Sequence, residues 1–216
     1  MNSNADTASI DQSDTASTGI PSDRPTLILS KGDSSNDTYG CDALGYHYEL
    51  STPESMFRPQ RLSTIYRWDA NLNRNVPVAE WERYMFKKDR VKMEALGASD
   101  FVPLNDIFPR TWGLPYDATF NRSFVAPSRK QYTWKSRPLS MKLYCAEGGK
   151  ETLIAAYHRG RYVINARKPF VELFDGYEDI LDLIIVTCTI VVAKRKDGET
   201  NSTGRGWKRV TKLTGF

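Results

Sequence analysis

One apolar run constrains this chain more than any other feature: Ile180 to Ala193, ILDLIIVTCTIVVA, with Glu178 and Asp179 before it and Lys194, Arg195 and Lys196 after it. Its fourteen residues include Asp182 and are too few to span a bilayer, which takes about 20 apolar residues as a helix. The run must therefore be buried in protein. Leu183, Ile184, Ile185 and Val186 are consecutive, so a helix here would be apolar on every side, and periodicity does not separate helix from strand. A helix would be about 21 Å long, with acids at its positive end and bases at its negative end. A strand would gain from the Ile, Val and Thr content but would be far longer than the usual 5 to 6 residues or so.

The segment ahead of the run decides between them. Thr26–Leu29, Ala43–Leu50, Leu62–Trp68, Val78–Phe86, Thr119–Ala126, Gln131–Ser136, Ser140–Cys145, Thr152–His158 and Phe170–Phe174 are strand-length and β-prone. Turn-rich stretches such as KGDSSNDTYG, DANLNRN, PSRK and AEGGKE separate them. Arg90–Leu96 fits a strand or a short helical turn, and Phe101–Ile107 is a short apolar patch. Turn signals roughly every ten residues predict an antiparallel sandwich or barrel of about ten or more strands. A barrel beyond about eight strands is too wide for its own side chains to fill. An all-round apolar helix suits its axis, so the run is predicted to be a helix, with Leu183, Ile184, Ile185, Val186, Ile190 and Val191 in the core.

The chain divides into three parts. Residues 1–25 are Ser, Thr, Asp and Asn with almost no large apolar side chain, a composition that does not offset the entropy of ordering. Residues 26–196 form the folded domain, and 197–216 a basic tail. The first part carries four Asp and one Arg, so the net charge of +4 becomes +7 for residues 26–216. Seven bases stand against two acids from Lys194 onward, with Trp207, Leu213 and Phe216 between them. Such a tail suits an anionic membrane surface or nucleic acid, but a solubilising end is the preferred reading, and nucleic acid is not counted among the expected partners.

No basic stretch followed by an apolar run marks a signal or transit peptide, so a cytoplasmic location is expected, with peripheral membrane association or a nuclear location as alternatives. Cys41, Cys145 and Cys188 lie far apart without metal-ligand spacing, which predicts buried thiols.

Three stretches carry a resemblance to a known family: RLSTIYRWD with VPVAEWERYMF, FNRSFVAPSRKQYTWK, and LDLIIVTCTIVVAKRK. They resemble an uncharacterised fungal family, domain of unknown function 6593, which is similar to the tubby C-terminal and phospholipid-scramblase-like proteins. The resemblance covers roughly residues 26–196. It implies a closed antiparallel barrel of about twelve strands around a buried hydrophobic C-terminal helix. It implies no reaction; tubby-like relatives bind phosphoinositide head groups, and scramblase-like relatives act at membranes. No residue-level lipid motif is recognisable, so no site is carried over. The chain departs from the pattern after Lys196 and around Phe108 to Tyr116.

The residues offer little chemistry. His47 and His158 each sit beside tyrosine in a predicted strand, and no nucleophile elbow, metalloprotease motif or phosphate loop appears. No catalytic residue, cofactor or metal is expected. Asp175, Glu178, Asp179 and Asp182 are an acidic cluster with the chemistry for a hard cation, yet their place at a helix start explains them better. The functional lean is basic: Arg122, Arg129, Lys130, Lys135, Arg137 and Lys142 in neighbouring strands and turns, then Arg159 and Arg161. Brought together they would attract anionic lipid head groups at about 1 kcal/mol per base; a solvated barrel exterior is the plainer alternative.

The expectation is a non-catalytic binding or scaffold domain, with anionic phospholipid as the ligand. One alternative is an enzyme or small-molecule carrier with a pocket at the barrel mouth, lined by Tyr46, Tyr48, Tyr66 and Trp68. The other is a protein-interaction module using the proline-broken loop near Trp112.

Overall fold

Alternation of inward apolar and outward polar residues, repeated over short β-prone segments, builds twelve antiparallel strands. The computed structural model describes residues 24–30, 36–53, 60–84, 87–111, 121–136, 140–160 and 167–196. The first seven strands are β1 (Thr26–Leu29), β2 (Asp37–Cys41), β3 (Tyr46–Ser51), β4 (Gln60–Asp69), β5 (Arg74–Tyr84), β6 (Arg90–Met93) and β7 (Ala98–Pro103). A one-turn helix, α1 (Leu104–Ile107), follows. Then come β8 (Arg122–Val125), β9 (Gln131–Ser136), β10 (Ser140–Glu147), β11 (Lys150–His158) and β12 (Phe170–Leu173). A 3₁₀ turn at Glu178–Ile180 leads into the second helix, α2, residues 181–196.

The strand order is β7-β6-β5-β4-β3-β2-β1-β12-β11-β10-β9-β8. Consecutive strands are neighbours on either side of the β1–β12 pair, so the chain makes one meander interrupted between β7 and β8. Two rows of side chains show how its inner face is built. Leu27, Val171, Tyr157, Met141 and Ser136 stand opposite one another across β1, β12, β11, β10 and β9, and all are buried. Leu29, Tyr39, Tyr48, Arg67 and Val76 continue the inner face across β1 to β5.

The helix expectation holds. From Leu183 to Ala193 no residue is more than 9% exposed, so the sheet curls around α2 and meets every side of it. Each buried Leu, Ile or Val contributes roughly 1.5–3 kcal/mol relative to exposure. The two threonines fit because their hydroxyls are satisfied. Thr187 donates to the Leu183 carbonyl (2.6 Å) and accepts the Trp134 indole N–H (2.9 Å); Thr189 donates to the Ile185 carbonyl (2.8 Å) and meets the Tyr39 hydroxyl (2.7 Å). These bonds come from β9 and β2 and fix the helix within its wall.

The expected closed barrel is corrected. β7 and β8 do not pair, and the sheet is not closed. The chain between them passes through α1, bracketed by Pro103 and Pro109, neither of which has an N–H to give a ladder. Among the described residues a single bridge at Arg110↔Arg122 remains, helped by Thr111 N–H to Asn121 O (3.0 Å) and Ser123 N–H to Pro109 O (3.1 Å). Local boundaries move as well. The supposed loop KGDSSNDTYG runs into β2, which takes its last four residues and Cys41 and turns Tyr39 and Cys41 inward, and Ala43–Leu50 becomes a 3₁₀ turn at Asp42–Leu44 followed by β3. Gly45 makes that join at φ 66°, a left-handed conformation suited to glycine.

The tails at 1–23 and 197–216 lie outside the described residues, as do Arg137, Arg161, Trp112 and Tyr116. No helix among the described residues is long and apolar enough to cross a membrane.

Candidate functional site at the N-terminal end of the central helix

Register places the first polar group of the site. Tyr48 on β3 stands directly opposite Arg67 on β4, and both lie in the inner row. Directly cross-strand side chains have Cβ atoms about 5 Å apart, so both reach the same point on the helix. That point is Asp182, in the first turn of α2. Its Oδ1 accepts the Tyr48 hydroxyl at 2.6 Å and its Oδ2 accepts Arg67 Nη1 at 2.7 Å. Burial pushes the Tyr48 phenol well up from its ordinary value, and the Asp182 charge adds to the effect, so Tyr48 stays protonated and donates. The pair is not sealed: the side chains of Arg67 and Asp182 are 40% and 25% exposed.

Beside it lies a cavity of about 290 Å³. Val76, Pro77, Val78 and Ala79 of β5 and Ala95 of the 3₁₀ turn Glu94–Leu96 make its apolar wall. A bulge at Ile65/Tyr66 inserts an extra residue in β5, and such irregularity bends a strand and opens space at a rim. Its charged groups are Arg67, Asp182, Glu80, Lys92 and Glu94. Lys92 and Glu80, in register across β6 and β5, form an ion pair at 3.2 Å. The arrangement offers an apolar surface with fixed charges around it, which is binding chemistry.

The aromatic mouth expected from the sequence is only half present. Tyr46 and Tyr48 face the core, but Tyr66 and Trp68 lie on the outer face of β4, where Trp68 is 40% exposed. The inner face of β4 is Ser63, Ile65 and Arg67 instead.

The basic residues do not form one set. Arg122 is buried beneath the β7/β8 seam, where its Nη1 donates to the Phe108 carbonyl (2.6 Å) and Asn105 Oδ1 (3.1 Å). Burial lowers its pKa to about 10, the nearby Arg110 charge adds to this, and Asp89 opposes it. Lys130 pairs with Glu147 at 2.8 Å and Lys135 with Glu151 at 2.6 Å. Lys142 lies directly opposite Lys135. Arg129 is exposed in the β8–β9 turn and Arg159 is exposed after β11. Arg137 and Arg161 are outside the described residues.

His47 is exposed, and His158 stacks on Phe170 at 4.4 Å with Glu172 at 3.2 Å. Cys41, Cys145 and Cys188 are buried free thiols. Asp182 turns toward Tyr48 and Arg67 rather than toward the other acids, and among the described residues no three His, Cys, Asp or Glu side chains gather as metal ligands. Sequence reasoning missed Arg67, Lys92 and Glu94. The available signal was an arginine on the Ser63/Ile65 face of β4, a charge placed where a core face would otherwise run on.

No curated protein and no solved structure matches the chain. A family model does match residues 32–197, from ahead of β2 to one residue past the described end of α2, and the chain belongs to that family, described as a family of unknown function (DUF6593).

Proposed function

We propose that this domain is a non-catalytic binding module whose ligand enters the cavity at the N-terminal end of α2. The observation that carries the reading is the combination of that 290 Å³ space with a half-exposed Arg67–Asp182 pair at its edge. The groups are held in place by the sheet register and by Tyr48, so a ligand meets a preformed site and little ordering entropy is lost. Ala95→Trp tests it, because the indole would fill the cavity from a turn without touching strand pairing. Saturation-transfer NMR with a small-fragment library should show ligands for the native chain that the variant loses; fragments binding both equally would remove the reading.

A second reading keeps anionic phospholipid as the ligand, on the outer wall. Its support is Lys142, which stands opposite Lys135 across β10 and β9: Lys135 is paired with Glu151, whereas Lys142 has no ion-pair partner among the described residues. Flotation with liposomes containing and lacking phosphoinositide separates the two readings. Kinship of the family with the tubby-like and scramblase-like proteins belongs to this second proposal; its support is a twelve-stranded sheet wrapped on an apolar helix. A cytoplasmic location is proposed with it.

A further inference from the structure

The cavity's charges do not balance. Arg67 is taken by Asp182 and Lys92 by Glu80, which leaves Glu94, exposed on the 3₁₀ turn and without an ion-pair partner among the described residues. Three carboxylates thus face two cations in a chain whose overall charge is +4. Asp182 also keeps acceptor capacity: a carboxylate has about four lone-pair sites, and Tyr48 and Arg67 use two. The N-terminal end of α2 works the other way, but its macrodipole amounts to about half a positive charge against a full surplus negative one. The surplus wins.

We propose that the cavity binds a small organic cation, a primary ammonium on a short apolar body. This rests on the reading of the cavity as the ligand site. The ammonium's three N–H groups suit the open lone pairs of Asp182 and the Glu94 carboxylate, while the hydrocarbon lies on Val76, Pro77, Val78 and Ala95. An apolar cavity of about 150 Å³ is enough for benzene, so 290 Å³ has room for a body of roughly six carbons. An anion of the same size would meet the Glu94 carboxylate and the surplus negative charge of the cavity.

Calorimetric titration of the full chain with hexylammonium, 1-hexanol and hexanoate tests this, with Glu94→Gln and Ala95→Trp as variants. Hexylammonium should bind at least about fivefold more tightly than hexanol, hexanoate should not bind detectably, Glu94→Gln should erase most of that preference, and Ala95→Trp should abolish binding. Hexanoate binding the native chain as tightly as hexylammonium, and lost in Ala95→Trp, would overturn the cation while leaving the site. Equal affinity of hexylammonium for native chain and Glu94→Gln would also overturn it. If no probe binds, or if Ala95→Trp binds as the native chain does, both the cation and the site are wrong.

Discussion

The two ends of α2 use the same device to opposite effect. At the N-terminal end a helix carboxylate, Asp182, is held by an aromatic hydroxyl and a cation from the sheet. At the C-terminal end the roles are exchanged. Asp89, just ahead of β6, accepts the Trp81 indole N–H at 3.0 Å and the helix's own Lys194 at 2.6 Å. Both arrangements complement the helix dipole, acid near its start and base near its end. They differ in solvent. Asp89 is 4% exposed and Lys194 26%, against 25% for Asp182 and 40% for Arg67. Salt and water screen the second pair, and a screened pair is worth about 1 kcal/mol or less. Removing Lys194 leaves Asp89 as an uncompensated buried charge, which costs about 3–5 kcal/mol. One end therefore holds the fold, and the other is open enough to take a ligand beside its pair.

The severest way to break the comparison is to remove what both ends share. Ile185 lies at the middle of α2 and is fully buried, so Ile185→Asp puts an unpaired carboxylate among aliphatic side chains and should abolish the cooperative thermal transition. An unchanged transition would mean that the helix is not the core. Arg122→Ala acts at the seam, where Asp89 contributes to the local field, and so belongs to the sealed end. It removes two hydrogen bonds and the guanidinium 5.4 Å from the Phe108 ring, and is expected to cost about 2–3 kcal/mol in urea denaturation. A loss below about 0.5 kcal/mol would show that the seam is not held by this side chain.

The smallest effect lies on the outer wall, away from both ends. Burial depresses the His158 pKa, with Glu172 only partly opposing. The folded value is then below the unfolded one of about 6.5, so the unfolded chain binds the proton more readily. Stability from this group is complete above pH 6.5 or so and declines as pH falls through the folded value. His158→Gln should flatten the acid side of a stability-against-pH curve slightly; an unaltered slope would show that His158 is not linked to folding.

Much of this fold was legible because the apolar run is too short for a bilayer and too uniform for a half-exposed helix, and because regular turn signals precede it. The seam was not legible. Phe101–Ile107 read as a short apolar patch, and whether a ladder resumes beyond it depends on where the strands meet in space. The faces of β4 misled for a clear reason: Leu62, Thr64, Tyr66 and Trp68 form the more apolar set, yet Ser63, Ile65 and Arg67 face inward, because the register with β3 and β5 sets the face and not the apolar count of one strand. The candidate site was least visible. It depends on Tyr48 standing opposite Arg67, and register of that kind joins segments that no local pattern connects. The basic residues failed as one set because sequence proximity does not say which side chain turns inward, as Arg122 does, or finds a glutamate, as Lys130 and Lys135 do.

The most direct test sets one end against the other by the same substitution. Lys194→Met and Arg67→Met each remove the cation from one carboxylate and keep an aliphatic stem, and their urea midpoints can be compared with the native chain under identical salt. The expected loss is about 3 kcal/mol for Lys194→Met, which leaves the buried Asp89 unpaired, and about 1 kcal/mol or less for Arg67→Met, which leaves the more exposed Asp182. Equal losses, or a larger one at Arg67, would contradict the division between a sealed structural end and an open binding end.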